Sequence, residues 1–526
     1  MPGNLGFIGP TYQSENPSVD AERLVNLYPE RIESGPYSSK SGMAYYHTPG
    51  TTVFAALGDS PVRAMWAGAQ GLYVLSGATL FQLDYTGSVV NSYTLANPAG
   101  GMAPGQIVFV PSGPGLTVGL SGVLMVWDGS PGYAGGSTYP NVFFVDGTTG
   151  SPPTIMSGAG IGCMDGYGII LRPACSPGAA GADPFPISTA DGTQFNLSPI
   201  FLANPAGWDP LQFAIKTGAG DALQVIYTPG ANPNGAGPEE CWLMGTDTIE
   251  VWYDTGGTTT DPFPFQRVPG AFIAVGVWAS QSVASVGSPA QLVFLGGDQR
   301  GVGIVYAMNG YTPQRVSNHA IEYAIAQYQA AGQSISNAVG YSYEENGHNF
   351  YVLSFPGGRT FVADFSCPDA SGRPMWHERG LGSTLSGLSN SWLFHAWAMG
   401  QHFVAGDNTA NVYVSSLATY QDSGNPILRA RIGPAISNEQ KWVRHGQFWL
   451  SIGGPSNISR TYALDWSNDG GSNYGNSFNL GVQVDATTKF GRVLMNNLGR
   501  SRQRNYRVQT TDNEPQAWID AYVEIA

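Results

Sequence analysis

The sequence predicts an all-β protein, a β-propeller of six or seven blades followed by a C-terminal β-sandwich-like domain. Three observations predict it. Short apolar runs recur along the 526 residues, 71 glycines and 37 prolines punctuate them, and the strand style changes near Asn425. This pattern reads as many turns between short strands.

The hairpins come first. "GLYVLSGATLFQLD" (Gly71 to Asp84) is strand, Ser-Gly turn, strand. "AQLVFLGGDQRGVGIVYAMNG" (Ala290 to Gly310), "HNFYVLSFPGGRTFVADF" (His348 to Phe365) and "QHFVAGDNTANVYVSS" (Gln401 to Ser416) repeat the unit. Looser copies lie near Ile107 to Asp128, Cys163 to Pro173 and Cys241 to Asp254. Repeated hairpins must dispose of their sheet edges, and radial repetition of four-stranded blades does so. Six or seven candidate blades fall between about Val53 and Ser416. Their irregular spacing implies loop insertions, for which "DGSPGYAGGSTYPN" (Asp128 to Asn141) and "TPGANPNGAGPEE" (Thr228 to Glu240) are the candidates.

One helix is expected in "SNHAIEYAIAQYQAAG". Ile321, Ile325 and Tyr328 share a face, Asn318 caps the start and Gly332 stops it. The helix fills a position between blades. Beyond Asn425, "RTYALDWSNDGG" sets Tyr462, Leu464 and Trp466 on one strand face, and "AWIDAYVEI" does the same with Ile519, Ala521, Val523 and Ile525. Such alternation fits a half-buried antiparallel sheet. The division expected is an N-terminal arm of strands over 1–52 that packs on the propeller or on a neighbour, the propeller with its inserted loops over 53–420, and the sandwich platform over 421–526.

Charge is thin and uneven. Charged residues make up 11% of the chain, which suits a surface largely covered by partners. Net charge is -14. Residues 425–526 hold 11 Lys/Arg and 8 Asp/Glu, a net +3, which leaves 12 and 29, or -17, for the rest. Cys163, Cys175, Cys241 and Cys367 form no CxxC and read as reduced thiols of a protein made in the cytosol. No basic, apolar leader and no membrane-spanning run is expected.

Chemical signatures are sparse, and the expectation is a protein without catalytic, cofactor or metal sites. "HERGL" (His377 to Leu381) opens like a zinc motif, but Leu381 stands where the second histidine belongs. His377 beside Trp376 reads as a packed imidazole at a blade end. The seven histidines are not expected to cluster. "DWSNDGGSNYG" (Asp465 to Gly475) mimics the start of a calcium loop, yet position twelve is Asn476. It also resembles the Asp-box of sialidase-type propellers, in which Ser467, Asp469 and Gly471 would form a structural turn.

"LGRSRQRNYRV" (Leu498 to Val508) is the unusual stretch. Arg500, Arg502, Arg504 and Arg507 crowd one strand of an acidic chain. Strand alternation puts the first three on one face. A solvated strand, a partner interface and contact with a DNA backbone are the three readings, and Arg500, Arg502, Arg504 and Arg507 are the candidate interface residues.

Several blocks together carry a resemblance. "NPSVDAERLVNLYPERIESG", "YHTPGTTVF", "IEVWYDTG", "DPFPFQRVPGAFIAVG", "GDQRGVGIVYAMNGYTPQRVSNHAIE" and "MWHERG" occur in order, ahead of "LGRSRQRNYRV". In combination they are similar to the short-tailed phage tail hub or nozzle family, the packaged DNA stabilisation proteins. The resemblance implies a homohexameric virion tail component, made in the bacterial cytoplasm and seated below the portal-adaptor ring. It would retain packaged DNA and later serve as the exit channel in DNA ejection. The implied partners are the adaptor ring, tail fibres or spikes, and a tail needle or plug. Double-stranded DNA would pass without sequence-specific binding, and no catalytic residue carries over. Six copies at -14 carry -84, which keeps DNA from sticking to the channel. The alternatives are a glycan-directed propeller enzyme and a carbohydrate-binding virion module.

Overall fold

The computed structural model describes residues 2–525 apart from 5, 33–41, 69, 96–102, 112–121, 130–140, 146–153, 173–191, 203–206, 210, 219, 230–238, 258–262, 298–302, 407–408 and 456–458. Both insertion loops expected from the sequence fall mainly outside the described residues, as does Cys175.

Seven blades form the propeller. Blade 1 runs from Val62–Gly68 to Val89–Thr94, blade 2 from Gln106–Pro111 to Thr154–Ser157, and blade 3 from Gly160–Met164 to Phe213–Ile215. Blade 4 spans Leu223–Tyr227 to Phe265–Ile273, and blade 6 spans Val339–Glu345 to Pro374–Arg379. In blade 5 the inner position is shared by Gly276–Val277 and Ala284–Val286, which both pair with Gln291–Gly297. Blade 7 takes three strands from Phe394–Ala398 to Asn411–Ser416 and its fourth from far upstream, Gly50–Ala56. That strand locks the ring shut, since first and last blades are held by hydrogen bonds between distant parts of the chain.

Each blade follows the alternation its sequence carries. In Gly71–Ser76 and its neighbours, Leu72, Val74 and Leu83 turn toward blade 7, while Tyr73, Leu75 and Leu80 turn toward blade 2. The helix His319–Ala330 starts where Asn318 accepts a hydrogen bond from the Ile321 amide at 3.0 Å, and it ends before Gly332 at φ +74°. Ile321 and Ile325 bury themselves against blades 5 and 6, and Tyr328 stacks on Phe355.

The C-terminal region is two packed sheets. One has the order Leu27–Arg31, Met43–His47, Ala517–Ile525, Val443–Gly453, Phe490–Asn496. The other runs Arg23–Val25, Arg429–Ile432, Gln503–Thr510, Ser459–Ser467, Phe478–Gln483. Phe448, Leu450, Tyr462, Leu464, Val508 and Trp518 fill the space between them. Strands from residues 2–47 thus complete both sheets. Strand Arg23–Val25 also pairs in parallel with the outer strand of blade 6, Val25 against Glu378, so the second sheet runs on into the propeller without a break.

One expected face is corrected. Ser451 faces Asp520 but Ile452 faces Trp518, so Ile519 is the extra residue of a bulge. Trp518, Ala521 and Val523 enter the core in consequence, and Ile519 does not.

Candidate functional site

The arginine strand is two strands. Arg500–Ser501 pairs with Val443–Gly453 in the first sheet, and Gln503–Thr510 belongs to the second. The chain changes sheets at Arg502, which breaks the simple alternation. The three arginines expected on one face are therefore divided: Arg500 and Arg502 are exposed, whereas Arg504 is buried.

Arg504 is held from inside the sandwich. Its Nε donates to Asn468 Oδ1 at 2.8 Å, its Nη1 donates to the Leu498 carbonyl at 2.6 Å, and its guanidinium lies 5.0 Å from the Trp466 ring. Below it, Tyr506 and Ser501 each hydrogen-bond a ring nitrogen of buried His445, at 2.9 and 2.8 Å. Burial, then the nearby Arg504 charge, pushes His445 down to about 4. Arg507 forms a two-pronged pair with Asp465 and lies over Tyr474 at 4.0 Å. These two arginines satisfy polar groups within the chain.

Arg500 and Arg502 face outward with an aromatic partner. Their guanidinium carbons lie 5.9 and 5.4 Å from the Trp442 ring centre, and Trp442 is 62% exposed. Arg444 stands directly across from Arg500.

The hairpin between Ser459–Ser467 and Phe478–Gln483 carries the Asp-box residues. Ser467 Oγ donates to Asp469 Oδ1 at 2.5 Å and accepts from the Gly471 amide at 2.9 Å. Asp469 accepts from the Asn473 amide at 2.9 Å and from its side chain at 2.7 Å. The Ser467 and Asn473 bonds hold Asp469 down to about 2. Both carboxylate oxygens are thereby engaged in the turn, and no group of metal-ligating side chains occurs among the described residues.

His377 is buried on the outer strand of blade 6, edge-on to Phe350 at 6.0 Å. Among the described residues neither ring nitrogen has a partner, and burial drives its pKa well below 6.5. Two other histidines do cluster, contrary to expectation: His395 Nε2 lies 3.0 Å from His402 Nδ1. They are diagonal neighbours across the blade 7 hairpin, where Trp397 faces His402 and His395 faces Val404. The signal was present as two histidines astride the Met399-Gly400 turn. Burial, then the His402 charge, lowers His395 to about 3, so the pair is neutral near pH 7.

A cavity of ≈ 210 Å³ lies on the propeller axis, among the inner strands of six blades. Met65, Gln106, Ile226, Gln281, Val339 and Phe394 are among its lining residues, and none of the lining residues is a carboxylate, lysine or arginine. No carboxylate pair of the kind most glycosidases use lines it among the described residues.

Comparison with known proteins follows the same geometry. No curated protein matches the chain. Among solved structures, an exo-β-1,3-galactanase from Phanerochaete chrysosporium shares 10% identity, over 86% of this chain and 100% of its own, with a TM-score of 0.27. A fucose-recognising lectin from Aleuria aurantia shares 14% over 63% and 94%, at 0.27. A sialidase from Trypanosoma rangeli shares 7% over 99% and 95%, at 0.26. The family model Phage_stabilise, described as Bacteriophage P22 Gp10, beta-propeller, matches residues 221–419. That segment opens two residues before Leu223, the first strand residue of blade 4, and closes just past Ser416, the last of Asn411–Ser416. Over that segment the chain is similar to the phage DNA-stabilisation family.

Proposed function

We propose that this protein is the tail nozzle or hub of a short-tailed phage. Copies of it form a ring below the portal-adaptor ring, retain the packaged DNA, and later form its exit channel. Tail fibres or spikes dock on its outer surface, and the ring is a hexamer. The observation that carries this reading is the family match over blades 4 to 6 and the first three strands of blade 7. Two further features support it. The charged fraction of 11% fits a subunit buried on several sides. The sheet that runs from blade 6 into the sandwich makes propeller and platform a stiff unit, as a tube wall requires.

Reconstruction of intact virion tails tests it. Six copies beneath the adaptor ring are expected. Three copies at the tail periphery, or no copies in the particle, would overturn it.

A further inference from the structure

Two clusters of unpaired charge of opposite sign lie on different parts of the fold, one on the sandwich and one on blades 3 and 4. The first is the sandwich edge. Val443 faces Ser501 and Arg444 faces Arg500, so the next rung sets Trp442 against Arg502. Like charges opposed across a strand pair cost stability. None of Arg444, Arg500 and Arg502 enters an ion pair among the described residues, and the neighbouring Lys441 is taken by Glu439 at 2.7 Å. Three guanidiniums and an exposed indole therefore meet solvent on one ladder. Tryptophan and arginine are the side chains that concentrate binding energy in interfaces.

The second surface lies on blades 3 and 4. Glu240 faces Tyr253, so the next rung brings Glu239 against Asp254 at one end of blade 4. Asp165 sits at the tip of the first hairpin of blade 3. Tyr167, two residues beyond Asp165, packs 5.5 Å from Phe265, the strand partner of Asp254, so the Asp165 turn lies beside this rung. None of them is in an ion pair among the described residues.

We propose that the Trp442–Arg444–Arg500–Arg502 ladder docks on the Asp165–Glu239–Asp254 face of a second copy of this chain. The two surfaces cannot meet within one molecule. The sandwich is joined to blade 6 through Val25–Glu378 and to the end of blade 7 through His47 and the Leu417 carbonyl, and blades 3 and 4 lie across the ring. A contact between two different patches is head-to-tail, and its repetition closes a ring. The charge split points the same way: the region holding the ladder is +3 and the remainder is -17. Double-stranded DNA is the weaker occupant, because three guanidiniums neutralise few phosphates. The proposal rests on the ring-forming nozzle reading and adds the contact that builds the ring.

The test uses the full-length protein, with oligomer mass measured by light scattering and native mass spectrometry. Wild type is expected to assemble. Arg500→Glu with Arg502→Glu, and separately Glu239→Lys with Asp254→Lys, are each expected to weaken assembly at least 100-fold while leaving the melting temperature unchanged. The four changes together restore it. Trp442→Ala, which alters no charge, weakens assembly by about tenfold or more. If the arginine reversal assembles like wild type, the contact is wrong and the ring reading stands. If wild type stays monomeric at every concentration, a second copy is not the occupant, and tail reconstruction alone judges the nozzle reading. Binding of a labelled DNA duplex by wild type, lost in the arginine reversal, would also overturn the proposal.

Discussion

Arg507 and Asp465 stand directly opposite on neighbouring strands, and the guanidinium Nε and Nη2 each lie 2.7 Å from a different carboxylate oxygen. Asp465 is almost wholly buried, so the pair lies at the edge of the sandwich core. Removing one partner leaves a charge without water or counterion. Asp465→Asn is expected to cost about 3 kcal/mol. Arg507→Lys loses the fork geometry and the stacking on Tyr474 and is expected to cost less. Chemical denaturation followed by tryptophan fluorescence measures both, and equal losses would contradict the role of the fork.

Ser467 is the pivot of the Asp-box turn. Its hydroxyl is buried, accepts from the Gly471 amide and donates to Asp469. Ser467→Ala is expected to cost about 1–2 kcal/mol. Because both Asp469 oxygens are occupied within the turn, neither added calcium nor a chelator should move the melting curve. A calcium-dependent rise of several degrees would restore the metal reading.

The protein is expected to lose stability in mild acid. His445 titrates at about 4 in the fold against 6.5 in a free chain. Between those values the unfolded chain takes up a proton that the fold refuses, so stability falls as pH drops from 6.5 toward 4. His395, at about 3, adds to the same trend over a wider window. His348 acts the other way. Burial opposes its charging, yet the Asp364 carboxylate 2.7 Å away raises it above 6.5, so its contribution is lost as pH rises through the folded value. His445→Gln should flatten the acid limb by about 2 kcal/mol, read as melting temperature against pH.

Glu378 is clamped at the junction of propeller and sandwich. Burial alone would raise it, but Arg23 and Arg359 hold it down to about 2. Arg23 reaches both its oxygens, at 2.9 and 2.8 Å. The stabilisation is present above about 4.5 and is lost as pH falls toward 2. Glu378→Gln leaves two guanidiniums facing each other and is expected to cost about 3 kcal/mol. Hydrogen exchange should show faster opening of Arg23–Val25 in this variant, with the amides of blade 2 unchanged.

The parts legible in the sequence were those decided locally. The Ser-Gly turn at Gly77, the Asn318 cap and the hairpins of blades 1, 5, 6 and 7 depend on neighbours a few residues away. What escaped depends on distant pairing. Nothing in "YHTPGTTVF" shows that Gly50–Ala56 pairs with Asn411–Ser416. Period-two reasoning fails at Ile519 because a bulge spends one residue, and at Arg502 because the chain changes sheets. The Arg500–Trp442 contact spans 58 positions, so the exposed ladder becomes visible only once the sheet is assembled.

Since residues 2–47 and 429–525 together build the sandwich, the propeller is an insertion between the two halves of another domain. The order of synthesis then matters. Blades 1 to 6 can collapse as they leave the ribosome, and blade 7 closes when Asn411–Ser416 meets the waiting Gly50–Ala56. Leu27–Arg31 and Met43–His47 can pair with each other early, but their sheet lacks its remaining strands until the last hundred residues are made. Unpaired strands held open for that long invite wrong partners, including other copies of the chain. Chains lacking only Ala517–Ile525 should therefore aggregate rather than fold as a free propeller, because that strand is the middle of the first sheet.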